Sequence, residues 1–194
     1  MATVPGHRDG EGEGLTVLPG GRSARLHLLV IDVDDDAVLM PFPAGAADAG
    51  RIPALSSDEM RALSRAVDAD LEIAAVAAFH VESACRVFDE LRRDVTVLAD
   101  GALDATHATA VRGGLRLERL LRLCRDRGIP LRDVAVIAAR PEDRSMMLEA
   151  GVAFALETAG YDVCSAADAV FPSRCRGGLA AAVDAVAALR TRSV

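Results

Sequence analysis

A chain of 194 residues suits one domain with a tail and is long enough to bury a real hydrophobic core. No stretch approaches the ~20 apolar residues of a membrane span, and a formal net charge of −7 argues against non-specific nucleic-acid binding, which needs dense basic contacts. All 22 basic residues are arginine, so any mechanism that requires a lysine ammonium is excluded. The opening MATVPGHRDGEGEG lacks the apolar core of a signal peptide, which makes a cytoplasmic location the expectation.

Residues 1–24 are rich in Gly, Arg and acidic residues without periodicity and read as a flexible tail ahead of a single domain over 25–194. RLHLLVID then fits a buried strand, and MPFPAGAADAGRIPAL an irregular loop. In SSDEMRALSRAVDAD, Ser56 and Glu59 stand at capping-box spacing, and Met60, Leu63 and Val67 share one helical face. LEIAAVAAF reads as a second strand, ESACRVFDELRRD as a helix, and VTVLADGA as a third strand ending in a turn. GLRLERLLRLCRDRG places Leu117, Leu120, Leu121 and Cys124 in helical register, with Gly128 where a C-terminal cap belongs. DVAVIAA and VAFAL read as a fourth and a fifth strand, EDRSMMLEAG as a short helix between them, and Gly178 to Leu189 as a terminal helix.

Strands that are apolar almost throughout, alternating with helices, indicate a mostly parallel sheet covered on both faces: a three-layer α/β/α, Rossmann-like domain. In such sheets the working site lies at the carboxyl ends of the strands. There the first strand runs into DVDDD, which sets Asp32, Asp34, Asp35 and Asp36 together. Taken alone, that cluster is either a solvated acidic loop or a cation site. Four widely spaced cysteines (Cys85, Cys124, Cys164 and Cys175) form no CxxC pair and read as small buried hydrophobes rather than zinc ligands. His80 and His107 read as surface residues near the same end of the sheet.

The order of these segments resembles the haloacid dehalogenase (HAD) superfamily, in particular its Cof-type, sugar-phosphatase-like branch, from about residue 26 to 188. DVDDD stands where the branch has DxDGT, and AAF at 77–79 where it has TGR. Asp100, Gly101 and Ala102 stand for NGA, Arg112 and Gly113 for the lysine motif, and AARPED at 138–143 for GDxxND. Cof-type members insert a cap domain after NGA; here only LDATHATAV separates Ala102 from Arg112, so the chain reads as capless.

The resemblance implies a Mg²⁺-dependent phosphohydrolase working through an aspartyl-phosphate, with Asp32 as nucleophile, Asp34 as acid/base and Arg112 as the phosphate-binding cation. It implies Asp32, Asp34, Asp143 and Glu142 as the metal-site carboxylates. It also implies losses: the phosphate-binding threonine falls on Ala77, one acidic ligand on Ala139, and Gly-Thr on Asp35 and Asp36. Several such losses degrade the phosphate site, since one preorganised contact is worth on the order of 10²–10³ in rate. The competing reading is a catalytically inactive, HAD-like binding or regulatory module. On either reading the open site is expected to receive a small phosphorylated molecule, or to be covered by a protein partner or a second copy of the chain.

Overall fold

The computed structural model describes residues 25–32, 55–77, 95–99 and 109–192. The N-terminal tail, Asp34 to Asp36, the helix expected over 82–94, His80, Cys85 and residues 100–108 with His107 lie outside the described residues. Five strands fall where the sequence places them: β1 (Leu28–Asp32), β2 (Glu72–Ala77), β3 (Thr96–Ala99), β4 (Val134–Ala138) and β5 (Val152–Leu156). A sixth, β6 (Ala169–Phe171), has only three residues, too few to show a strand pattern. The helices are α1 (Ser57–Asp68), α2 (Thr109–Arg127), α3 (Arg144–Glu149), α4 (Tyr161–Cys164) and α5 (Gly178–Arg192).

All six strands pair in parallel, in the order β3-β2-β1-β4-β5-β6. Side chains alternate between the faces of each strand. Leu29 and Ile31 of β1 pack with Ala62, Leu63 and Ala66 of α1 and with Val183 and Val186 of α5. Leu28 and Val30 point the other way, towards Leu120 and Cys124 of α2 and Met146 and Met147 of α3. The expected three-layer α/β/α architecture is therefore present. Among the described residues, no helix is long and apolar enough to cross a membrane.

Two helix faces turn out rotated from the sequence reading. In α1 the buried positions are Glu59, Ala62, Leu63 and Ala66, while Met60 and Val67 are half-buried. In α2, which begins several residues earlier than expected, the buried stripe is Arg116, Leu120 and Cys124. Leu117 is half-buried and Leu121 faces solvent. The cysteine reading also holds only in part: Cys124 is buried, Cys164 half-buried and Cys175 exposed. Gly128 ends α2 with a φ of 68°, the left-handed conformation expected of its position.

The capping box of α1 does more than close a helix. Glu59 accepts a hydrogen bond from the Ser56 backbone N–H at 2.7 Å and Ser56 Oγ accepts one from Glu59 N at 3.2 Å. The same carboxylate accepts from Arg174 Nε and, at 2.8 Å, from Arg174 Nη2, so it ties α1 to the turn ahead of α5. Both residues are buried. Removing one partner of a buried ion pair strands the other charge and costs about 3–5 kcal/mol. Glu59→Ala should therefore lower unfolding free energy by about that amount in a urea titration. Arg65→Ala, which removes the solvent-exposed fork onto Asp184, should leave the midpoint nearly unchanged.

Candidate functional site at the β1–β4 switch point

Strand order reverses between β1 and β4, so the crevice at their carboxyl ends is where this topology places a ligand site. Alternation along β1 sends Asp32 to the same face as Leu28 and Val30, the face covered by α2. On α2, Arg116 lies one helical repeat before Leu120 and two before Cys124, so it meets the sheet at its carboxyl end. β4 runs out at Ala138 into Arg140 and the 3-10 turn Pro141–Asp143. Gly113 lets α2 approach that turn: a Cβ there would stand 3.0 Å from the Glu142 carbonyl oxygen and 3.3 Å from Ser145 Oγ.

Four charged side chains meet in this crevice. Arg116 Nη1 donates to Asp143 Oδ1 at 2.6 Å and to Asp32 Oδ2 at 3.3 Å. Arg140 forks onto the same aspartate, with Nε at 2.7 Å from Oδ2 and Nη2 at 3.2 Å from Oδ1. Asp143 Oδ2 accepts the backbone N–H groups of Ala139 and Arg140, both at 3.2 Å. Side chains of Arg116, Asp32 and Asp143 are at most 1% exposed, whereas that of Arg140 reaches the rim at 19%.

Burial alone would raise the Asp32 carboxyl, but Arg140 and Arg116 outweigh it and hold it below the ordinary carboxylate value. Burial pushes Asp143 well above that value, reinforced by the negative charge of Asp32 and opposed by Arg116. The two carboxyl groups thus interact closely, and their pKa values are pushed in opposite directions. Burial works against the Arg140 charge, yet Asp32 raises its pKa above the ordinary guanidinium value. Of these four groups, two guanidiniums thus face two carboxyl groups.

The sequence-derived site residues fare unevenly. The structure brings Asp32 and Asp143 together, and buries Glu142 beside them. Arg112 lies within the first turn of α2, and its side chain, like Asp34, is outside the described residues. The arginines that organise the site, Arg116 and Arg140, escape sequence reasoning. Arg140 directly follows Ala139, the residue matched to a lost acidic ligand, and it is Arg140 whose side chain reaches Asp32. Mg²⁺ takes a near-octahedral shell of oxygens at 2.0–2.1 Å. Here the oxygens of Asp32 and Asp143 that face each other converge on a guanidinium nitrogen instead. Among the described residues, no three His, Cys, Asp or Glu side chains are grouped so as to hold a metal ion. The described residues therefore do not fit a divalent cation.

Residues 116–183 match the family model of haloacid dehalogenase-like hydrolases. No curated protein matches the sequence. Among solved structures, the chain is similar to a hypothetical protein from Xanthomonas campestris, at 21% identity and a TM-score of 0.70, with 92% of each chain covered. It is similar to a Legionella pneumophila protein assigned to subfamily III A of the HAD hydrolases, at 15% identity and a TM-score of 0.67, covering 88% of this chain and 87% of that one. It is also similar to 3-deoxy-D-manno-octulosonate 8-phosphate phosphatase from Moraxella catarrhalis, in complex with magnesium, phosphate and the sugar. That match has 15% identity, a TM-score of 0.65, and coverage of 88% of this chain and 90% of that one. The fold is accordingly the Rossmann-like HAD fold.

Two substitutions test the charge distribution. Asp32→Asn removes the carboxylate shared by buried Arg116 and by Arg140 at the rim, and should cost about 3–5 kcal/mol in urea unfolding at neutral pH. Asp32, held low, contributes stability above the ordinary carboxylate range and loses it as pH falls through the folded value. Asp143, held high, acts in reverse: its contribution is present in acid and is lost as pH rises. Asp143→Asn, which mimics the protonated form, should therefore flatten the decline in stability between mildly acidic and neutral pH; an unchanged slope would place the proton elsewhere.

Proposed function

We propose that this chain is a capless, catalytically silent HAD-like module that binds an anionic group without turning it over. One observation carries the reading: both carboxylate oxygens of Asp32 are engaged by arginine, Oδ1 by Arg140 and Oδ2 by Arg140 and Arg116 together. An aspartyl-phosphate requires an Asp32 lone pair aligned on phosphorus, with the charge of the incoming phosphoryl group neutralised. Charge-assisted bonds of this kind are shorter and stronger than neutral ones, and these lie in a buried site. The convergence of Asp32 and Asp143 on the Arg116 guanidinium points the same way.

A ligand role draws on the rim. Arg140 is partly exposed, and its guanidinium suits an anion such as a phosphoryl ester or a protein carboxylate. The alternative, a Mg²⁺-dependent phosphohydrolase, draws on the resemblance in motif order and on the phosphatase neighbours. One of those was solved with magnesium and phosphate. It requires Arg116 and Arg140 both to leave Asp32 before a substrate arrives.

The test is release of phosphate from an aryl phosphate in excess Mg²⁺ by wild type and Asp32→Asn, each checked for native circular dichroism. Equal, background-level rates are expected. Turnover in the wild type that vanishes in the variant would overturn the proposal.

A further inference from the structure

We infer that Arg116 is the protein's built-in replacement for a divalent cation: it joins the first-strand and fourth-strand carboxyl groups, so the fold closes its carboxyl-end crevice without metal. The inference deepens the silent-module reading of the same site, but its test measures metal response and does not depend on turnover.

Three observations carry it. First, Arg116 is the largest fully buried side chain among the described residues, on a helix whose next stripe positions are Leu120 and Cys124. An apolar residue would continue the packing there, and burying an ionised group in its place costs several kcal/mol unless specific partners compensate. Second, a single nitrogen, Nη1, serves both Asp32 and Asp143, the geometry of a bridging cation rather than of a two-partner surface pair. Third, the carboxyls it joins come from two chain segments far apart in sequence, at the ends of β1 and of the turn after β4, so some positive centre is needed to let them converge. The close approach at Gly113, one turn earlier on α2, is what delivers the guanidinium to that point.

Charge bookkeeping distinguishes this arrangement from an ordinary metal site. A dication would bring two positive charges to the two carboxyl groups, whereas the guanidinium between them brings one. Arginine keeps its charge when buried and needs no external supply, so the crevice is assembled at any metal concentration.

The experiment compares thermal unfolding of the full chain in EDTA and in millimolar Mg²⁺ or Mn²⁺, with direct Mn²⁺ binding read by electron paramagnetic resonance. Wild type should melt at the same temperature in both buffers and leave Mn²⁺ free. Arg116→Met keeps length and apolar packing but removes the cation. It should be destabilised in EDTA, and Mg²⁺ should raise its melting temperature by roughly 5 °C or more, with Mn²⁺ becoming bound. A variant that folds only with Mg²⁺ would support the inference equally. Arg116→Lys, which restores a cation, should return the metal indifference. Stoichiometric Mn²⁺ binding by wild type, or an Arg116→Met protein that shows no metal response, folded or not, would overturn it.

Discussion

Two carboxyl groups that face each other out of water must be given a positive centre or a proton, and in this protein a guanidinium stands between them. Asp32 and Asp143 converge from neighbouring strand ends with almost no solvent exposure. Bare, the pair would be strongly repulsive, since buried charges lack the dielectric screening of water. Arg116 supplies the centre, while burial and the charge of Asp32 push the Asp143 carboxyl well above its ordinary value. Everything around the crevice answers to that requirement: the fork from Arg140, the backbone donors of Ala139 and Arg140 on Asp143, and the tight seat of α2 at Gly113.

Ordinary rules of α/β architecture put these groups in one place. Period-two alternation along β1 sets Asp32 on the α2 face. Helical spacing makes Arg116 the end of the stripe that continues through Leu120 and Cys124. The reversal of strand order opens the crevice between β1 and β4. None of these features requires a catalytic function. They also make the site rigid, because its four side chains stand on a strand, a helix and a short turn rather than on a long loop.

Most of the fold is legible in the sequence because its signals are redundant. Five apolar runs, the Ser56–Glu59 box and the glycine at 128 agree with one another, and each names an element that forms. β6 is missed because three residues cannot display a period. The α2 face is misread for a more instructive reason. Counting apolar residues favours Leu117 and Leu121 and discards Arg116, because a charged residue normally marks the solvent side. The true buried stripe contains that arginine, and only the carboxylates at its tip, distant in sequence, make this affordable. The positions of Asp32 and Asp143 at strand ends are readable; the identity of the cation between them is not, since it depends on a helix rotation of a few tens of degrees.

The composition bears on why the cation is a guanidinium. With no lysine in the chain, every buried positive charge beyond histidine must be arginine. The second buried ion pair follows suit, with Arg174 forked onto Glu59 on the opposite side of the sheet. Lysine in a dry site can shed its proton and relieve the desolvation cost, but arginine cannot at any accessible pH. In a chain restricted to arginine, any relief of that cost must therefore come from the acidic partner. At Glu59 one carboxylate meets one guanidinium and the backbone N–H of Ser56. At the crevice two guanidiniums meet two carboxyls, and burial together with the charge of Asp32 pushes Asp143 well above its ordinary value. That asymmetry between the aspartates follows from burial and a permanent cation.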